Sequence, residues 1–145
     1  MQKKILLDDI DAFIFDIDGV LTNNLVHLDE SGKEWVTCSR ADGLAFDVLQ
    51  KLKKPTFILS TERNPVVSAR AKKLKVPVIQ GITNKVDTLV SLSETKGFDL
   101  NRVLYVGNDL NDFPVMQMCG YAICPADAHP QIKELATVVL GCSGG

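Results

Sequence analysis

Two spacings of apolar residues alternate along the chain. Short continuous runs occupy residues 11–17, "TFILS" (56–60), "VPVIQG" (76–81), "RVLYVG" (102–107), "YAIC" (121–124) and "TVVL" (137–140). Runs of this length, bounded by Asp, Gly, Pro and Asn, predict buried strands. Between them, apolar residues recur every three or four positions. Ala45, Val48, Leu49 and Leu52 mark a helix from Ala41 to Lys53, and Val86, Leu89 and Val90 mark another that opens after Asn84. Asn64-Pro65 supplies a cap and first-turn pair for a helix running to Lys75. Two further helices are predicted over 111–118 and 129–136. Residues 25–28 and 34–38 flank the turn-rich "DESGK" and predict a β-hairpin directly after the first strand.

This alternation predicts an α/β fold, a Rossmann-like parallel sheet with helices on both faces, in a single domain spanning 1–145. Such sheets bind ligands beyond the carboxyl ends of their strands. The polar residues of interest sit at those ends. Asp16 and Asp18 close the first run, Ser60 and Thr61 close "TFILS", and Asn108 and Asp109 come directly after "RVLYVG". Residues far apart in sequence are thereby brought to one rim.

Composition narrows what the rim can serve. The chain has 145 residues, a net charge of −2, and lysines clustered only at "KLKK" (51–54) and "AKKLK" (71–75). Nucleic acid requires a basic stripe, and these clusters read as solvated helix faces. No apolar run approaches the ~20 residues of a membrane span. Acids soon interrupt the apolar part of "MQKKILLDDI", which makes it a poor leader sequence. Cys38, Cys119, Cys124 and Cys142 lack a paired zinc spacing and read as reduced, buried thiols of a cytoplasmic protein. His27 and His129 have no ligand partner at useful spacing, and Trp35 reads as a packing or interface residue.

The rim inventory then suggests a chemistry. Asp16, Asp18, Asn108, Asp109 and Asp112 supply hard oxygens, the preferred ligands of Mg²⁺. Carboxylates alone repel a phosphate, but a divalent cation and a lysine reverse that sign. One aspartate can attack phosphorus, and a second can protonate the leaving alcohol and then deprotonate water. Gly19 lets the chain leave the strand sharply and approach the phosphate.

"DIDGVLT" (16–22), Ser60 in "FILST", Lys85 in "GITNK" and "YVGNDLND" (105–112) resemble, in order, the four motifs of the haloacid dehalogenase superfamily of phosphohydrolases. The resemblance implies Asp16 as nucleophile and Asp18 as general acid and base. It implies Mg²⁺ on Asp16, the Asp18 carbonyl and Asn108, with Asp109 or Asp112 supplying the negative charge that Asn108 lacks where the family usually has an aspartate. Ser60, Thr61 and Lys85 would hold the phosphoryl group. There is room for only a hairpin and one helix between the first two motifs, so no cap domain fits.

A capless chain with a hairpin after "DGVLT" resembles the subgroup acting on eight- and nine-carbon keto-sugar acid phosphates. That resemblance implies a homotetramer built through the hairpin, a neighbour completing the pocket, Glu62 and Arg63 at the pocket, and Asp42 at its edge. Residues 60–77 are similar to the sialic-acid branch, often linked to acylneuraminate cytidylyltransferases. The octulosonate branch usually carries Thr-Gly-Arg where this chain has Ser60-Thr61-Glu62, which favours a nonulosonate 9-phosphate over 3-deoxy-D-manno-octulosonate 8-phosphate. Members of the subgroup continue into a C-terminal tail beyond the "GCSGG" at which this sequence stops. Two rivals remain: a response-regulator receiver, and a weakly active domain serving as an oligomerisation module. The receiver places its phosphorylated aspartate after the third strand, where this chain has none.

Overall fold

A computed structural model describes residues 4–145; residues 1–3, the start of the stretch read as a poor leader sequence, lie outside the described residues. Among the described residues eight strands and five α-helices succeed one another in chain order: β1 (Ala12–Phe15), β2 (His27–Leu28), β3 (Glu34–Trp35), α1 (Arg40–Lys51), β4 (Thr56–Leu59), α2 (Val66–Leu74), β5 (Val78–Ile79), α3 (Lys85–Lys96), β6 (Val103–Val106), α4 (Phe113–Met118), β7 (Tyr121–Cys124), α5 (Pro130–Leu135) and β8 (Val138–Val139). Six strands pair in parallel in the order β5-β4-β1-β6-β7-β8. β2 and β3 form the separate antiparallel hairpin, with His27 opposite Trp35. As predicted, the fold is α/β with helices on both faces.

Alternation along the strands feeds two cores. Ala12, Ile14, Phe57, Leu59, Val103 and Tyr105 point to one face, where α3, α4 and α5 bring Leu89, Val115 and Ile132. Ile58 points to the other, where α1 and α2 bring Phe46, Val67, Ala71 and Leu74. Both faces are covered, so the strands read as continuous apolar runs. Local signals start the helices. Ser39 accepts from Ala41 N at 3.2 Å before α1. Asn64 accepts from Val66 N at 3.0 Å before α2. Asn84 accepts from Val86 N and Asp87 N at 3.0 and 3.2 Å before α3.

The chain starts at the centre of the sheet, runs outward through β4 and β5, then returns to lay down β6, β7 and β8 on the other side. The reversal falls between β1 and β6. Open α/β sheets open a crevice at such a point. Asp16 at the end of β1 and Asn108 just past β6 are therefore delivered to adjoining places.

Two expectations are corrected. The ladders are shorter than the apolar runs: β1 pairs over four residues, and each hairpin strand over two. The cysteines are free, but Cys142 is exposed and only Cys124 is fully buried. In α1 the helical spacing holds, and most of the recurring residues form an outer apolar stripe: Phe46 is buried and Leu49 packs partly buried on the core, whereas Val48 and Leu52 stand 52% and 45% exposed and Leu44 72%.

Candidate active site

Asp16 is the first residue beyond β1, and its N–H still donates to Val106 O on β6 at 2.9 Å. That bond extends the ladder and fixes the residue. The residue is 5% exposed. Oδ1 accepts from Ile17 N at 2.8 Å and lies 3.1 Å from Lys85 Nζ. Lys85 opens α3 and reaches inward, its Nζ also 2.7 Å from Asp112 Oδ1. Asp112 ends a one-turn 3-10 segment, Leu110–Asp112, and is fully buried. Its two oxygens take Tyr105 OH at 2.9 Å and Asn108 N at 3.1 Å. Gly107 makes that possible: a Cβ there would lie 2.8 Å from the Asp112 side chain. One lysine thus bridges two buried carboxylates, and the second carboxylate is satisfied by strand, turn and lysine together.

A second cluster abuts the first. The Asn108 amide atom that faces Asp16 and Asp18 lies 2.8 Å from Asp18 O and 3.3 Å from Asp16 Oδ2. As a nitrogen it donates to both. As an oxygen it brings three oxygens together with no hydrogen between them. Octahedral Mg²⁺ at about 2.1 Å spaces neighbouring ligand oxygens about 3 Å apart, and these distances match. The residues present therefore fit the cation: Asp16, the Asp18 carbonyl and Asn108 would hold it, and it would supply positive charge to a bound phosphoryl oxygen. Among the described residues no three His, Cys, Asp or Glu side chains gather for a metal. That agrees with a set made of one carboxylate, one backbone carbonyl and one amide. Gly19 clears the space. Its φ is +82°, and a Cβ there would fall 2.0 Å from Asn108 Nδ2. Thr22 secures the loop, its Oγ1 accepting from Gly19 N at 3.1 Å and Asn24 N at 3.2 Å.

The electrostatics arise from burial. Asp16 is pushed up to about 7 by burial first and by the neighbouring Asp112 second, with Lys85 opposing both. Burial alone would lower Lys85, but the Asp16 and Asp112 carboxylates more than offset it and hold it above its ordinary value. Asp18 is half-buried and raised, by burial first and then by Glu62, with Glu34 adding to the same side against Lys85. The corner is short of positive charge and suited to a divalent cation.

The remaining predicted residues divide. Ser60 is 1% exposed and lies just past β4; its Oγ accepts from Glu62 N at 3.1 Å, leaving its hydrogen to donate. Thr61 stands exposed on the same loop. Glu62 turns back on that loop, Oε1 accepting from Arg63 N at 2.7 Å and Asn64 N at 2.9 Å. Arg63 is exposed, and its stem lies 3.3 Å from where a Gly81 Cβ would be. Asp42 sits in the first turn of α1, with Oδ2 buried and unpartnered; burial raises it and Arg70 opposes. Asp109 departs from expectation. It is exposed and accepts from Leu110 N at 2.7 Å, so its carboxylate serves its own turn and is not among the converging oxygens.

Comparison with known proteins agrees with this geometry. Residues 58–143, more than half of the chain, match the family model described as haloacid dehalogenase-like hydrolase. The chain belongs to that family. A 3-deoxy-D-manno-octulosonate 8-phosphate phosphatase KdsC of Salmonella typhi is 31% identical over 139 residues, 95% of this chain and 74% of the relative. A structure described as a HAD family hydrolase from Streptomyces avermitilis superposes with TM-score 0.97 at 42% identity, over 100% of this chain and 83% of that one. The Moraxella catarrhalis octulosonate 8-phosphate phosphatase, solved with magnesium, phosphate and KDO, gives TM-score 0.90 at 27% identity over 94% and 79%. The protein is accordingly a phosphatase of the haloacid dehalogenase-like family, of the capless type, and Mg²⁺ is the cofactor its oxygen corner fits.

Two contributors escape a motif-based reading of a haloacid dehalogenase-like hydrolase. Glu34, on β3, lies within reach of Asp18's field and 3.5 Å from Asn64 Nδ2; the hairpin reading gave it no signal of its own. Tyr105 did carry one. A tyrosine facing inward on a buried strand must find a partner for its hydroxyl, and "YVGND" places one just ahead of the acidic turn.

Proposed function

We propose that this protein hydrolyses a sugar-acid phosphate through an aspartyl-phosphate formed on Asp16. The single observation that supports it best is Lys85 Nζ held between Asp16 and Asp112 at 3.1 and 2.7 Å, beside the three-oxygen corner. Asp16 attacks phosphorus while Lys85 and the Ser60 hydroxyl hold the phosphoryl oxygens. Asp18, raised by burial and by Glu62, carries a proton to the leaving alkoxide. It then takes a proton from the water that opens the phosphoaspartate, returning Asp16 and releasing phosphate. The metal, when bound, lowers the cost of bringing a dianionic phosphate to a carboxylate.

For the substrate, the relatives favour the eight-carbon branch. Both the Salmonella typhi protein and the Haemophilus influenzae one, 30% identical over 146 residues, bear the name octulosonate 8-phosphate phosphatase. The Ser60-Thr61-Glu62 departure still favours nine carbons, but one tripeptide weighs less than similarity over the chain. We therefore rank 3-deoxy-D-manno-octulosonate 8-phosphate first and a nonulosonate 9-phosphate second. In this reading Glu62, Arg63 and Asp42 are the selectivity residues, and Thr61, beside Ser60, is a further donor to the phosphoryl group. A homotetramer through the hairpin accords with its exposed Leu25, Val26, Leu28 and Trp35.

Mg²⁺-dependent phosphate release from both sugar-acid phosphates, a hexose phosphate and an aryl phosphate tests this reading, with Asp16→Asn as the dead control. The eight-carbon compound should lead by at least about tenfold in kcat/KM, or about 1.4 kcal/mol. A lead for the nine-carbon compound reverses the ranking. Absence of turnover on all four by the Mg²⁺-loaded wild type rejects the enzymatic mechanism and favours the oligomerisation module.

A further inference from the structure

The proposed chemistry leaves the buried hydroxyl of Tyr105 unused. Tyr105 is 0% exposed on β6, in the core facing α3 and α4. Its hydroxyl donates to Asp112 Oδ1 at 2.9 Å, the same oxygen that lies 2.7 Å from Lys85 Nζ. Asp112 is itself enclosed, with Oδ2 taken by Asn108 N at 3.1 Å. Lys85 is therefore shared by two carboxylates. The shorter arm goes to the one that never meets substrate, the longer arm to Asp16 at 3.1 Å.

We propose that Tyr105 is a positioning residue for phosphoryl transfer: by donating to Asp112 it limits that carboxylate's hold on Lys85 and keeps the ammonium turned toward Asp16. The physical basis is a competition for one oxygen. An anion that already has a strong donor gains less from a second one, because each donor draws on the same charge. Without the hydroxyl, Asp112 Oδ1 has Lys85 alone, and the desolvated carboxylate draws the lysine inward. Lys85 then lies farther from Asp16 and from the phosphoryl oxygens. A phenylalanine fills the core equally well, so packing gives no reason for the hydroxyl. This inference rests on Lys85 acting on the phosphoryl group, as proposed above.

The test is Tyr105→Phe, alone and combined with Asp112→Asn, in the Mg²⁺-loaded protein. With an aryl phosphate as substrate, kcat should fall roughly tenfold or more, the range for residues that orient catalytic groups. The inhibition constant for inorganic phosphate should rise by a similar factor, while the Mg²⁺ activation constant stays within about twofold. On the Asp112→Asn background Tyr105→Phe should change neither value further, because the carboxylate it acts through is gone. Unchanged kcat and phosphate inhibition in folded Tyr105→Phe would overturn the proposal, as would an undiminished effect on the Asp112→Asn background. If Tyr105→Phe alone fails to fold, Asp112→Asn should restore folding by removing the under-satisfied anion; a double variant that stays unfolded assigns Tyr105 to packing. Failure of wild-type turnover would instead reject the phosphatase mechanism, and the positioning role of Tyr105 with it.

Discussion

The catalytic corner and the hairpin with the outer face of α1 are opposites. In the corner, charged and polar groups are buried and each has partners: Asp16, Lys85, Asn108 and Asp112 are at most 7% exposed and bonded to one another. On the hairpin and α1, apolar side chains lie in water, Leu28 64% exposed and Leu44 72%. Each region inverts the usual preference, and the inversions teach different things. Buried charge is tolerated only where geometry satisfies it, so the corner is complete within one chain except for the positive charge a cation brings. Exposed apolar side chains gathered on a hairpin and on one helix face are what a neighbouring surface would cover. The corner draws its partners from one chain, whereas the exposed apolar side chains of the hairpin and α1 are what the proposed assembly would cover.

The largest expected effect comes from removing the lysine that balances the corner. Lys85→Met keeps the length of the side chain and leaves Asp16 and Asp112 facing each other without a cation. Breaking a buried pair on one side typically costs about 3–5 kcal/mol. Asp16 escapes part of this by holding its proton, so about 3 kcal/mol is expected at neutral pH in chemical denaturation. Turnover should fall at least about 100-fold, as when one preorganised donor to a transition state is lost. Near-wild-type stability would show that the corner is not the charge-balanced unit described, and the contrast between the two regions would lose its basis.

These two regions were unequally legible in the sequence. The corner was readable because strand ends in a parallel sheet converge on one rim, and Asp16, Ser60, Lys85 and Asn108 all come after apolar runs or open a helix. What spacing could not convey was the direction of a side chain after its strand ends. Asp109 is adjacent to Asn108, yet it turns onto Leu110 N, and Glu62 folds onto its own loop. Both are short-range hydrogen bonds that compete with a distant ligand, and nothing in residue type ranks the two. In α1 the recurrence of Ala45, Val48, Leu49 and Leu52 has the spacing of a core face. Periodicity tells that a face is apolar, but not whether it is covered by the same chain.

A second, smaller effect sharpens the contrast by titrating the corner. The folded-state value of Asp16, about 7, lies above its ordinary 3.8. Protons therefore favour the metal-free fold: the contribution is fully present below the unfolded value and is lost as pH rises through about 7. A cation requires the ionised carboxylate, so what Mg²⁺ adds should grow over the same interval. Thermal unfolding with and without Mg²⁺ should show a larger Tm gain at about pH 8 than at about pH 6. Equal gains at both would mean that Asp16 ionises as an exposed carboxylate does, which its burial argues against.

The smallest effect on chemistry should come from the region that holds none of it. Leu28 sits on β2 in the hairpin beside the stacked pair His27–Trp35, whose rings lie 5.6 Å apart and 7° from parallel. The stack stiffens a two-residue ladder that would be marginal by itself, and presents Leu28 on a firm support. Leu28→Lys costs little in the isolated subunit, where the side chain is already in water. In an assembly it loses about 2 kcal/mol of apolar burial per contact, roughly 30-fold in a dissociation constant. Light scattering should then show a smaller particle at concentrations where the wild type remains assembled. Because the corner is built from one chain, the Mg²⁺-dependent Tm gain should survive, and so should kcat on an aryl phosphate. KM for the sugar-acid phosphate should rise, since in the proposed assembly a neighbour would border the pocket and meet only the larger substrate. A dissociated variant that keeps its sugar-acid KM would separate the hairpin from selectivity altogether, and a variant that stays assembled would assign the cover to the α1 stripe instead.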